Sequence, residues 1–145
     1  MTWHMPAVAG HDASVTAEQA GWEFSGLEVR TLQTGVTQEI ELTRDEAVIV
    51  PLSARDLDIT VDGEPYRLAG REGVFTAVSD WLYAPVGSKM TISGKSGEVA
   101  ICTARASVRF PVTHVRAEDV SVEVRGAGRA TRQVTNIATP GSFTG

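Results

Sequence analysis

Cysteine is nearly absent. Cys102 stands alone, so no intrachain disulfide can form, and a reducing compartment is the simple expectation. Long apolar runs are missing as well: none approaches the roughly 20 residues that span a bilayer. The opening MTWHMPAVAGHD has no basic stretch leading into an apolar one, so a secretory signal is not expected and the setting reads as cytoplasmic. Positive charge is in deficit, with 13 Lys and Arg against 18 Asp and Glu. A formal net charge of −5 leaves no electrostatic footprint for nucleic acid or for an anionic membrane. Histidine is scarce, and His4, His11 and His114 include no pair one residue apart. There is no internal repeat, low-complexity tract, linker or heptad.

What is present is ordinary globular composition, 42% hydrophobic and 21% charged over 145 residues, which predicts one domain over 1–145 with an irregular segment over about 1–20. Ser14 or Thr16 is placed to cap a short turn there, with Glu18 following. The chain centres on Glu46–Ser93. Short β-rich runs follow one another closely there: Ala47–Leu52, Leu57–Val61, Pro65–Leu68, Val74–Val78, Trp81–Ala84 and Lys89–Ser93. Turn residues close them, among them Asp62-Gly63, Ala69-Gly70, Glu72-Gly73 and Pro85-Val86-Gly87. Such spacing without helical pattern predicts an all-β sandwich or barrel. Leu57, Ile59 and Val61 alternate with Asp56, Asp58, Thr60 and Asp62, so this strand is half-buried and its carboxylates face water. Asp62-Gly63 suits a tight hairpin. Trp81 and Tyr83 are expected to fill the space between two sheets. Further strands are predicted from Trp22 and Phe24 through to Leu32, over Val36–Leu42, over Glu98–Ala104 and over Val120–Val124, whereas Pro111 argues against a central strand over Arg105–Thr113.

Groups able to carry chemistry are few. A strand, an Asp-Gly turn and an aromatic strand ending in Pro-x-Gly resemble a cupin-type double-stranded β-helix, a jelly-roll barrel. Metal centres of that type bring two His one residue apart, a Glu and a later His onto one ion. His4, His11 and His114 all lie outside the core strands, so no metal ligand is assigned; a metal-dependent cupin using these three is the weakest reading. Cys102 has no His near it in sequence, no G-x-S-x-G elbow exists, and Cys102 is expected to be a small buried side chain. No catalytic residue is assigned. Gly126-Ala127-Gly128-Arg129-Ala130-Thr131 lacks the third glycine and the lysine of a phosphate loop, and reads as a β-turn feeding a strand. Arg129 and Arg132 are the candidate substrate-binding residues, because guanidinium binds carboxylate bidentately and would suit an acidic sugar. The alternative for both is a solvated or ion-paired surface position.

Four stretches taken together carry a more specific resemblance: MTWHMPAVAG, Ala-Gly-Trp-Glu-Phe around Gly21, AGREGVFTAVSDWLYAPVGSKMTIS, and RGAGRATRQVTNIATPGSF. In order and without large gaps, they resemble the N-terminal half of the 5-deoxy-glucuronate isomerases of bacterial myo-inositol catabolism, a family of two-cupin proteins. The resemblance implies an aldose–ketose isomerisation of 5-deoxy-glucuronate to 5-dehydro-2-deoxygluconate through an enediol. It implies a divalent transition metal and a general base in a C-terminal cupin half that this sequence does not contain. This chain would then be the metal-free half, holding no cofactor itself. Its expected partners are that C-terminal half or another subunit in a homo-oligomer, and a sugar-acid substrate. Val134, Ile137 and Phe143 are expected to offer an apolar surface to such a partner. The other reading is a free-standing, non-catalytic cupin that binds a carbohydrate or a protein.

Overall fold

A computed structural model of the chain describes residues 13–141 and 143. The chain enters through β1 (Ala13–Val15), one turn of helix α1 (Ala17–Ala20), β2 (Ser25–Leu32) and β3 (Gln38–Glu41). The middle of the chain supplies β4 (Asp45–Pro51), β5 (Arg55–Val61), β6 (Glu64–Gly70), β7 (Trp81–Ala84) and β8 (Lys89–Lys95). It finishes with β9 (Gly97–Arg105), β10 (Thr113–Val115), β11 (Val122–Arg125) and β12 (Arg132–Thr135). Two antiparallel sheets result. One is six-stranded in the order β1-β2-β9-β4-β7-β10, the other four-stranded in the order β3-β8-β5-β6, and β11-β12 forms a separate ribbon. This is the all-β jelly roll expected.

The hairpin β5–β6 shows how local sequence sets register. Asp62 and Gly63 take φ of 52° and 89°, the pair of positive values that a two-residue type I′ turn requires. Val61 is thereby set opposite Glu64, and Leu57 opposite Leu68. With period 2, Leu57, Ile59 and Val61 all turn inward and are fully buried. From the facing sheet come Ala47, Ile49, Leu82, Ala84, Val99 and Ile101, so the space between the sheets is filled largely by aliphatic side chains. At the other end of the chain Thr16, not Ser14, caps α1: its hydroxyl accepts from Gln19 N–H and the Gln19 side chain accepts from Thr16 N–H.

Four expectations are corrected. Val74–Val78 is a turn and an extended loop, with Phe75 fully exposed; Thr76 bonds back to Gly73 O, and Arg71 spans to Pro51 O and Ala77 O. Trp22 and Phe24 precede β2 and are exposed, so they do not share a strand face. Trp81 and Tyr83 are buried but point away from the space between the sheets, which Leu82 and Ala84 fill instead. Finally, the segment expected to be irregular holds β1 and α1.

Candidate functional site

Among the described residues the barrel interior is filled by Leu, Ile, Val, Ala and Met side chains, with the half-buried Tyr66 and Val112 packed against them. Polar groups converge in two places elsewhere. The first is the outer face of the six-stranded sheet, where Trp81 and Tyr83 join Val50, Ala100 and Val120 in a second apolar cluster. After β12 the chain returns across this face, bringing Ile137, Ala138 and Phe143 against it. The expectation of an uncovered apolar surface at Ile137 and Phe143 is therefore corrected: both are half-buried in this cluster, and Val134 is half-buried on the ribbon.

Beside Phe143 a cleft of about 650 Å³ remains open, lined by Ser25, Glu46, Tyr83, Cys102 and Thr103 among others. Tyr83 donates its hydroxyl to Glu46 Oε2 at 2.7 Å. Burial, and then that bond to a carboxylate, push the phenol well above its ordinary value, so Tyr83 stays a donor at any physiological pH. Cys102 is exposed here, against expectation, because β9 is central but its outer face is covered only in part. Desolvation by the surrounding strands still raises its thiol, which disfavours the thiolate a nucleophile needs.

The second place joins residues 34 apart in sequence order, Asp80 and His114, through the pairing of β7 with β10. Asp80 is buried just ahead of β7, and its carboxylate accepts from Ala69 N–H at 2.7 Å and Gly70 N–H at 3.0 Å. It thus ties the end of β6 to the start of β7. His114 Nε2 lies 3.6 Å from Asp80 Oδ2, buried and without a hydrogen bond among the described residues. The rest of the ring lines a cleft of about 390 Å³ shared with Arg67, Arg116 and Glu118. Neither Glu46 nor Asp80 stood out in the sequence; the one available signal was a lone acid, Asp80, set between two apolar stretches.

Arg129 and Arg132 stand exposed on the β11–β12 ribbon, and neither lines any of the clefts described here. The Gly126–Thr131 loop is the turn of that ribbon, as read from sequence. His4 and His11 lie outside the described residues. Among the described residues no three His, Cys, Asp or Glu side chains gather as a metal ion would require. No described helix is long and apolar enough to cross a membrane.

The KduI/IolB family profile matches residues 4–143. The 5-deoxy-glucuronate isomerase of Geobacillus kaustophilus is 34% identical over 137 residues, which is 92% of this chain and 49% of that protein. The isomerase of the same name from Geobacillus thermodenitrificans is 32% identical, over 92% of this chain and 50% of its own length. The chain thus spans about half the length of the curated relatives it matches. An IolB-like protein of Salmonella typhimurium superposes with a TM-score of 0.79 at 27% identity, covering 86% of this chain and 48% of that one. A cupin protein of Bacteroides fragilis superposes at 0.52 with 18% identity, over 78% of this chain and 93% of its own, which bears on fold alone. The fold is the all-β cupin jelly roll.

Proposed function

Because this chain belongs to the KduI/IolB family, we propose that it serves the isomerisation of 5-deoxy-glucuronate as the metal-free cupin unit of a larger whole. Its family-level class is isomerase, the name its curated relatives carry. The observation that carries the finer reading is the filled barrel. Moving a proton between adjacent carbons of an open-chain sugar needs a base, and a group to stabilise the enediol oxygens. Among the described residues, the buried Leu, Ile, Val, Ala and Met side chains that fill this barrel supply neither.

The role assigned to this chain is accordingly architecture, part of the wall of a sugar-acid cleft, and contact with a C-terminal cupin half or another subunit. The divalent transition metal and the base of the reaction belong, on this reading, to that second half. The setting is cytoplasmic inositol catabolism. The test is reconstitution. The 145-residue chain is incubated with 5-deoxy-glucuronate, alone and with the purified C-terminal half of the Geobacillus kaustophilus relative, and product is followed by NMR. Turnover is expected only with both. Turnover by the chain alone, or a stable complex without turnover, overturns the proposal.

A second reading is favoured by one feature, the cleft beside Phe143. A carboxylate, three hydroxyl-bearing side chains and two aromatic rings meet there, which is chemistry suited to a neutral sugar. A non-catalytic carbohydrate-binding cupin would show saturable shifts of resonances from Ser25, Thr103 and Phe143 on sugar titration, with no turnover in either arm above.

A further inference from the structure

Among the described residues little packs against the β11–β12 ribbon. All four residues of β11 are exposed, and Val122 and Val124 are 42% and 73% accessible. A two-stranded ribbon with so little cover is marginal in water. Its charges add to the difficulty: Arg125 sits directly opposite Arg132, and like charges in that position destabilise a strand pair. Glu123 is fully engaged, by Arg125 at 2.9 Å and by Asn136 Nδ2 at 2.7 Å. Among the described residues no carboxylate pairs with Arg129 or Arg132.

The complementary surface exists on the same protein. A cleft of about 340 Å³ near β1, β2 and β3 is lined by five carboxylates and only two arginines. Both arginines are already held, Arg30 by Glu28 and Arg105 by Glu18. Glu39 and Asp45 have no ion pair among the described residues, and Lys89 reaches Glu41 only at 3.9 Å. Phe24, 53% exposed, adds an apolar wall. The cleft lies toward the β1–β2 side of the six-stranded sheet, whereas the ribbon follows β10, the strand at the other edge, in chain order.

We propose that the ribbon docks into this acidic cleft on a second copy of the chain, with Arg129 and Arg132 meeting Glu39, Glu41 and Asp45 and Val124 covering Phe24. The carboxylates that the two arginines bind are then those of a protein surface, not of a sugar. This inference is independent of the isomerase reading and needs only the chain as it stands.

Sedimentation velocity at low salt and at about 1 M salt, where the screening length is ~3 Å, reads it directly. Self-association is expected at low salt and is lost at high salt. Reversing charge on either side, with Arg129→Glu plus Arg132→Glu or with Glu39→Lys plus Glu41→Lys, is expected to weaken it about tenfold or more. Mixing the two reversed variants restores it. Circular dichroism checks that each variant folds, and Arg→Gln and Glu→Gln versions replace any that does not. A chain that stays monomeric at low salt overturns the proposal, as does association unmoved by the reversals or a mixture that fails to recover it. So does an arginine variant that loses sugar-acid binding while self-association persists.

Discussion

Phe143 meets Trp81 edge-on, with ring centroids 5.4 Å apart and planes at 82°, and it leans on Tyr83 at 5.1 Å. The returning C-terminal segment is thereby fastened to the outer face of the six-stranded sheet. Trp81→Ala is expected to cost roughly 3–5 kcal/mol, as large aromatic deletions in a core do. Phe143→Ala removes a half-buried ring and should cost less, about 1–2 kcal/mol. Urea denaturation of both variants and of the double variant checks this, with a coupling of about 0.5–1.5 kcal/mol between the rings. Trp81→Phe should cost less than half of Trp81→Ala, since the buried Trp81 Nε1–H has no partner among the described residues and no hydrogen bond to them is lost. Additive effects of the two alanine variants would count against the contact.

Which features were legible in the sequence follows from how local their causes are. Leu57, Ile59 and Val61 alternate with polar residues and end in Asp62-Gly63, so hairpin, register and buried face were all available from adjacent positions. Trp-Leu-Tyr-Ala in β7 is buried at every position, because one face meets the other sheet and the other meets Phe143. A strand covered on both sides has no alternation, so nothing in its own sequence says which pair of residues faces which core. Cys102 misled for the converse reason: it sits on a central strand, and only three-dimensional placement reveals that its outer face is covered only in part. Val74–Val78 has strand-like composition, but the fold spends these residues on a loop held by Arg71. Asp80 and His114 meet only through tertiary pairing, which spacing along the chain cannot show.

Asp80 is the hinge pin of the β6–β7 connection. Asp80→Ala strips the acceptors from the Ala69 and Gly70 N–H groups and should cost roughly 2–4 kcal/mol. His114→Ala should cost under about 1 kcal/mol, because its Nε2 makes no hydrogen bond. Hydrogen exchange locates the effect: the Ala69 and Gly70 amides should lose protection in the Asp80 variant and keep it in the His114 variant. Equal loss in both would show that the imidazole, not the backbone, is what the carboxylate serves.

Asp62 gives the protein a defined acid sensitivity. Its Oδ1 accepts from Lys89 N–H at 2.9 Å, while Oδ2 meets Arg109 and Ser88. The Lys89 N–H bond first, and Arg109 after it, hold this carboxyl below the ordinary Asp value. The folded state therefore binds fewer protons than the unfolded chain once pH nears the unfolded value of about 3.9. The stabilisation is present in full above that value and disappears as pH falls through the lower folded one. Asp62→Asn keeps a residue tolerant of positive φ but abolishes the titration, so its loss of stability over this acid range should be shallower than the parent's. Thermal melts from neutral pH down into that range make the comparison; parallel curves would show that Asp62 does not contribute.

The dialysed 145-residue chain is expected to retain no stoichiometric transition metal. Tight protein sites for such ions use three or four N, O or S donors at about 2.0–2.3 Å. The barrel interior that would shelter an ion from water is occupied by Ile49, Leu57, Ile59, Leu82, Ile92 and Ile101, none of which can donate an electron pair. His114 is turned toward Asp80, whose two oxygens are engaged by backbone N–H groups, and no third donor joins them among the described residues. Elemental analysis after dialysis against chelator, then after reloading with zinc, manganese, iron or nickel, should give well under one ion per chain. Close to one ion per chain that is lost in His114→Ala would mean that this pair recruits a further ligand, and the metal would then have to be placed in this unit.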